Sequence, residues 1–299
     1  MPLGIRPTVD FAFKKIFGSP KNSIALIGLL NAILRLEHPV VQVEILNPFS
    51  YQEFEDNKLV VLDVRCRDSA GRCLNVEMQV SAYPGLMERL VYYACSMYVD
   101  QLAAGSNYAN ASPAISICLL SHRIFPDSDL AHHRFALIDE PSGRRIEKGI
   151  EVHTVELTKY NLDAGTLREA EPLEQWAFLL LRAQDFEAAE LRELLAGAAF
   201  QSAIDVLEVI SAKTEDKDMY DQREKAQRDY QWALSGAREE GREEGREEGE
   251  KSANINTVRI LEDVLDLPIS DVDKLAAMDS NSLTSLVAEL QERIRDRKS

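Results

Sequence analysis

The spacing of apolar residues changes several times along the chain, and each change predicts an element. TVDFAFKKIFG (residues 8–18) puts Phe13, Ile16 and Phe17 on one face of a short helix, with Thr8 as its N-cap and Gly18 as its stop. KNSIALIGLLNAILRL (21–36) is apolar on most sides, which predicts a buried second helix. VVQVEILNP reads as a strand stopped by Asn47-Pro48. After Pro84-Gly85, LMERLVYYACSMYVDQLAAG predicts a helix ending at Gly105, and AISICLLS has the short apolar run of a buried strand. HRFALID and IEVHTVEL are weaker strands. Beyond Tyr160 the period is helical throughout, with helices expected at 173–197, 200–213, 217–250, 255–265 and 282–297 and a break at Pro268 and Ser270. The pattern predicts a mixed α/β sheet domain over residues 1–160 and an α-helical region over 161–299.

The stretch Val61–Ser81, VLDVRCRDSAGRCLNVEMQVS, alternates on both sides of a turn. Gly71 supplies the left-handed position of a three-residue hairpin connection, and pairing Asp68 with Arg72 fixes the register. Arg67 then opposes Cys73, Arg65 opposes Asn75, Asp63 opposes Glu77, and Val61 opposes Gln79. Leu62, Val64, Cys66, Leu74, Val76, Met78 and Val80 share the core face, while Asp63, Arg65, Arg67, Asn75, Glu77 and Gln79 share the other. Directly opposed Cβ atoms lie about 5 Å apart, where like charges destabilise a sheet. A divalent cation between the carboxylates removes that repulsion. A solvated face softened by Arg65 accounts for the same pattern, and a one-residue slip would part the two acids.

Charge narrows the partners. The net charge is -16, but residues 1–160 hold 16 Lys+Arg against 18 Asp+Glu, whereas 161–299 hold 18 against 32. The acidity sits in the helical half, and a near-neutral first half can carry a local basic groove. No run of about 18 apolar residues occurs, so no transmembrane helix is expected. The N-terminal residues lack a signal-peptide core, and Cys66, Cys73, Cys95 and Cys118 form no CxxC pair. Together these features predict a reduced, cytoplasmic protein without disulfides. AREEGREEGREEGE is the one internal repeat, placing Ala237, Gly241, Gly245 and Gly249 along a helix over about 237–250. That helix is either a solvated connector or a close-packed pair between protomers.

TVDFAFKKIFG, LIGLLNAIL, VEILNPF, LDVRCRDSAGRCLNVEMQ, RLVYY at Arg89–Tyr93, and SPAISICLL followed by VHTVEL occur in one order. In that order and spacing the chain resembles the Rpn-type recombination-promoting nucleases, often labelled transposases, of the PD-(D/E)xK superfamily. The match is close over 8–160 and looser through REKAQRDY and the GREEG repeat. The resemblance implies a restriction-endonuclease-like core of helix, three strands, helix and strand. It further implies a metal-dependent DNA endonuclease associated with recombination or mobile elements, using Mg2+ with Mn2+ able to substitute. Asp63 and Glu77 fall on the metal-binding acids, with the backbone carbonyl of Met78 a further ligand. Gln79 stands where most of the superfamily has Lys, which leaves the rate of catalysis open. Arg65 is a candidate phosphate contact or an ion-pair partner of Asp63. Asp10 and Lys14 lie in the opening helix, where Asp10 approaches the metal or caps the helix. Glu44 and Arg89 are supporting candidates. His122, His132, His133 and His153 show no metal-ligand spacing, and no Walker or dinucleotide glycine loop is present. The alternative is a catalytically weak member acting as a DNA-binding or assembly module, homo-oligomeric through its C-terminal helices.

Overall fold

The computed structural model describes residues 1–51, 63–80, 84–160 and 162–297, with Asp63 described by its backbone alone. Leu62 and Val61 of the hairpin lie outside the described residues. Two compact units divide the chain, Met1–Arg228 and Asp229–Ser299.

The first unit is built around the hairpin. Strands β2 (Asp63–Asp68) and β3 (Cys73–Gln79) pair antiparallel with Asp63 opposite Glu77, Arg65 opposite Asn75 and Arg67 opposite Cys73. This is the register read from the sequence. Gly71 adopts φ 81°, the left-handed conformation that a side chain would strain. Asp68 ties the turn shut by accepting from the backbone N–H groups of Ala70 and Arg72. Strand β1 (Val43–Ile45) borders β2, while β4 (Ala114–Leu120), β8 (Ile150–Glu156) and β5 (His132–Ala136) extend the sheet from β3. Among the described residues the six-stranded order is β1-β2-β3-β4-β8-β5, with β3, β4 and β8 mutually parallel. HRFALID divides between β5 and β6 (Ile138–Asp139), which pairs with β7 (Arg144–Arg145) in a separate ribbon.

Helices cover the two faces of the sheet. Helix α1 (Asp10–Phe17) and α2 (Ser23–Leu34) pack on the face of Val64, Cys66, Leu74, Val76 and Met78. The N-cap of α1 is Val9 without a side-chain cap, one residue beyond the Thr8 expected from the sequence; Gly18 closes the helix. Helix α3 (Leu86–Val99) lays Leu86, Leu90 and Ala94 on the opposite face, against Cys118, Leu120 and Val152. It ends six residues before Gly105, where the chain turns twice through Thr-free loop residues with Gly105 at φ 85°.

The sequence boundary at 160 differs from the observed division, and the packing gives the reason. Helices α4 (Pro172–Arg182), α5 (Ala188–Leu194) and α6 (Ala198–Ala212) share one apolar cluster with α1 and α2 through Trp176, Leu191, Phe200, Ile204 and Leu207. A Cβ added to Gly28 of α2 would collide with the Ala199 methyl, so glycine sets how closely α2 and α6 approach. The start of α7 (Thr214–Val264) is fastened by charge. Arg223 donates from Nε to Asp10 Oδ2 at 2.9 Å and pairs through Nη2 with the same oxygen, both residues being buried. Lys15 meets Asp216 at 2.5 Å and lies over the rings of Phe11, Phe49 and Tyr51. Tyr51 donates its hydroxyl to Asp216 at 2.7 Å.

In the second unit, Ile255, Val258 and Leu265 from the end of α7 cluster with Leu275 of α8 (Val272–Ala276) and with Leu283 and Leu290 of α9 (Ser280–Asp296). Glu262 accepts from the backbone and hydroxyl of Ser270 across the intervening turn. The repeat glycines 241, 245 and 249 face open space on exposed helix.

Removing one partner of a buried ion pair strands the other charge, at a cost of about 3–5 kcal/mol. Arg223→Met is therefore expected to lower unfolding free energy by about that amount in urea, and Asp10→Leu/Arg223→Met to recover most of it. A loss within about 1 kcal/mol in the single variant would contradict a structural role for the pair.

Candidate functional site

β-Alternation delivers Asp63 and Glu77 to one face, and their positions in the register set them side by side. Glu77 sits mid-sheet, between β2 and β4, and only 1% of it is exposed. A carboxylate so placed needs a cationic or hydrogen-bonding partner, because desolvation disfavours its charge. Helix α3 supplies one. Arg89 donates from Nη2 to Glu77 Oε2 at 2.9 Å and to Gln79 Oε1 at 3.2 Å. Its guanidinium carbon lies 5.6 Å from the centre of the Tyr93 ring.

The surrounding face is polar. Asn75 and Ser116 are in register on β3 and β4, both buried, and their side-chain polar atoms have no hydrogen-bond partner among the described residues. Cys118 is the β4 neighbour of Glu77. Burial drives its thiol well above the ordinary range, the charge of Glu77 adds to the shift, and Arg89 opposes it. This thiol is therefore a packed, protonated group rather than a nucleophile.

The remaining sequence candidates fall as follows. Arg65 is exposed on β2; its backbone N–H donates to Asn47 Oδ1 at 2.7 Å and its carbonyl accepts from Leu46. Arg65 and Arg67 line a cleft of about 150 Å³ with Leu46, Met97, Asp100 and Gln101. Glu44 is exposed on β1 and stands in register with Arg67. Met78 buries its side chain in the main core, leaving its backbone beside the acids. Lys14 is buried in α1. Asp10 gives its carboxylate to Arg223 and to the backbone N–H of Phe11.

Glu77 and Gln79 place a carboxylate and a neutral amide on one face of β3, and Asp63 stands opposite Glu77 in the register; oxygen donors of these kinds suit a hard divalent cation. The buried Glu77 carboxylate, which already draws a guanidinium, shows that this face calls for positive charge. The residues fit such an ion. Among the described residues, no cluster of three or more His, Cys, Asp or Glu side chains could hold a metal. No helix among them is long and apolar enough to cross a membrane.

A second polar cluster, absent from the sequence reading, lies two strands from β3. His132 Nε2 and His153 Nδ1 are 2.9 Å apart, and His153 Nε2 is 3.3 Å from Glu151 Oε2. Arg134 donates to Glu151 at 2.9 Å, and Arg145 pairs with it at 2.5 Å. Burial pushes Glu151 up, but hydrogen bonds from His153 and Arg134 outweigh it and bring the carboxyl to about 2. Burial, followed by His153, Arg35, His133 and Arg134, brings His132 down from 6.5 to about 4.

The comparisons with known proteins bear on the first unit and on the start of the second. The family model described as PD-(D/E)XK nuclease family transposase matches residues 7–237, and the chain belongs to that family. No curated protein and no solved structure matches it.

The shift of His132 has a direction that can be measured. Its unfolded imidazole takes up a proton near pH 6.5, whereas the folded one stays neutral down to about 4. Stability should hold above pH 6.5 and decline as the pH falls from 6.5 to about 4. His132→Gln should flatten that decline in melting temperature against pH. An equally steep decline in the variant would assign the slope to other groups.

Proposed function

We propose that this member of the PD-(D/E)XK nuclease family transposases is a metal-dependent DNA endonuclease whose centre is Asp63 and Glu77. What supports the reading is one observation: in a sheet of the matched family, the two acids stand in register, and the inner one is buried. Asp63, Glu77 and the backbone carbonyl of Met78 are the groups that would hold Mg2+, or Mn2+ in its place. When bound, the cation would lower the pKa of a water molecule and stabilise charge developing on the scissile phosphate.

The chain's own residues carry the remaining tasks. Gln79 is neutral, so its amide orients a water molecule or a phosphate oxygen by hydrogen bonding and contributes no charge. Arg65 follows Asp63 by two residues on β2 and is exposed, and its planar guanidinium suits phosphate oxygens. The cleft with Arg67 continues that basic edge along β2. The family description carries a link to mobile elements; the chemistry proposed beneath it is phosphodiester hydrolysis. The alternative, a catalytically weak module that binds DNA or assembles protomers, draws on the neutral Gln79 and is separated by the same assay.

Purified protein should nick or linearise plasmid DNA with Mg2+ or Mn2+, and EDTA should stop it. Asp63→Asn and Glu77→Gln should each lower the rate at least about 100-fold, since each removes an anionic ligand worth several kcal/mol. Asp63→Asn should melt no lower than the parent without metal, because it relieves a like-charge pair. Glu77→Gln gives up the Arg89 ion pair and should melt lower. Full activity in both folded variants would remove the assignment; no cleavage by the parent under any metal would favour the silent-module reading.

A further inference from the structure

The Arg89 contacts point to a role beyond support. Glu77 is closed off from water, and its Oε2 receives the Arg89 guanidinium. The same Nη2 reaches Gln79 Oε1, so one cation spans both β3 side chains on the active face. A guanidinium held there supplies the positive charge that a divalent ion would otherwise bring to Glu77, and two cations a few Å apart repel strongly away from bulk water. That repulsion sets the two in competition for Glu77.

Arg89 stands partly in solvent. Its side chain is 31% exposed, against 2% for that of Glu77. It springs from α3, one turn before Tyr93, whose ring already lies within cation–π range of the guanidinium. Long flexible stems let arginine swing its head while its backbone stays fixed. Gln79, a neutral amide, cannot compensate for a charge that leaves, and the charge paired with Glu77 at 2.9 Å is that of Arg89.

We propose that Arg89 is the centre's internal counter-ion: it neutralises Glu77 until a divalent cation displaces it, and the displaced guanidinium then binds a phosphate of the DNA strand. This rests on the endonuclease reading above. Two consequences follow. Metal affinity is set by competition with Arg89, so the site is weaker for metal than its carboxylates alone would make it. Metal entry and phosphate binding are also coupled, because the first frees the group that serves the second.

The test measures Mn2+ binding by calorimetry, without DNA, on the full chain. Arg89→Gln should melt lower than the parent without metal yet bind Mn2+ at least about tenfold more tightly, since the competing charge is gone. Arg89→Lys keeps a competing charge and should bind Mn2+ within about threefold of the parent. With Ca2+ in place of Mg2+, Arg89→Gln should bind a short DNA duplex more weakly than the parent. Unchanged or weaker Mn2+ binding in Arg89→Gln, with Glu77→Gln still impaired, would overturn the counter-ion role alone. Glu77→Gln binding Mn2+ as tightly as the parent would overturn the metal centre, and this inference with it. Should Arg89→Gln not fold, 15N-labelled arginine in the parent decides: the Arg89 Nε–H resonance should shift on saturation with Mg2+, and an unmoved resonance would overturn the proposal.

Discussion

A carboxylate in the middle of a β-sheet has to be neutralised, and the organisation of the first unit follows from how Glu77 meets that demand. Burial disfavours its charge, and the register sets Asp63 against it on β2. The Arg89 ion pair offsets part of this, and that pair requires α3 to cross this face with its fourth residue over β3. Leu86, Leu90 and Ala94 hold the helix there against Cys118, Leu120 and Val152. The apolar contacts thus position the arginine, and the arginine makes the buried acid tolerable. The buried Glu77 carboxylate, held by a partly exposed arginine, is the electrostatic basis for proposing a cation centre here.

The opposite face depends on a different kind of fastening. Helices α4 to α6 and the start of α7 complete the core over α1 and α2, with Gly28 against Ala199 and Asp10 against Arg223. Residues beyond 160 therefore belong to the fold that carries the site, which agrees with a family match reaching residue 237. The Asp10 carboxylate, a metal candidate from its place in the opening helix, is engaged by Arg223. Its buried pairing gives that motif a structural task in joining the first helix to a distant one.

The hairpin was legible because its information is local. Alternation assigns faces, and Gly71 with the Asp68–Arg72 closure sets the register, so the Asp63–Glu77 pairing needed no tertiary knowledge. Arg89 entered only as a supporting residue, since its reach to Glu77 depends on how α3 is rotated over the sheet. The Glu151–His153–His132 chain was hidden for a similar reason: 21 residues separate the two histidines, and only the pairing of β5 with β8 brings them together. Helix boundaries failed where periodicity continues across a break, as at Ala183–Asp185 between α4 and α5. The expected gap between 250 and 255 closed because α7 runs on through Val264. The domain boundary at 160 marks a real change of period, but composition carries no trace of the Gly28 and Asp10 contacts that span it.

The central claim is that Asp63 and Glu77 together hold a divalent cation. Crystals grown or soaked with Mn2+, with diffraction data collected at the manganese edge, test it most directly. The account predicts an anomalous peak between the two carboxylates, within coordination distance of both, and its disappearance in Glu77→Gln. A well-ordered hairpin with no peak there, or a peak bound by other residues, would contradict it.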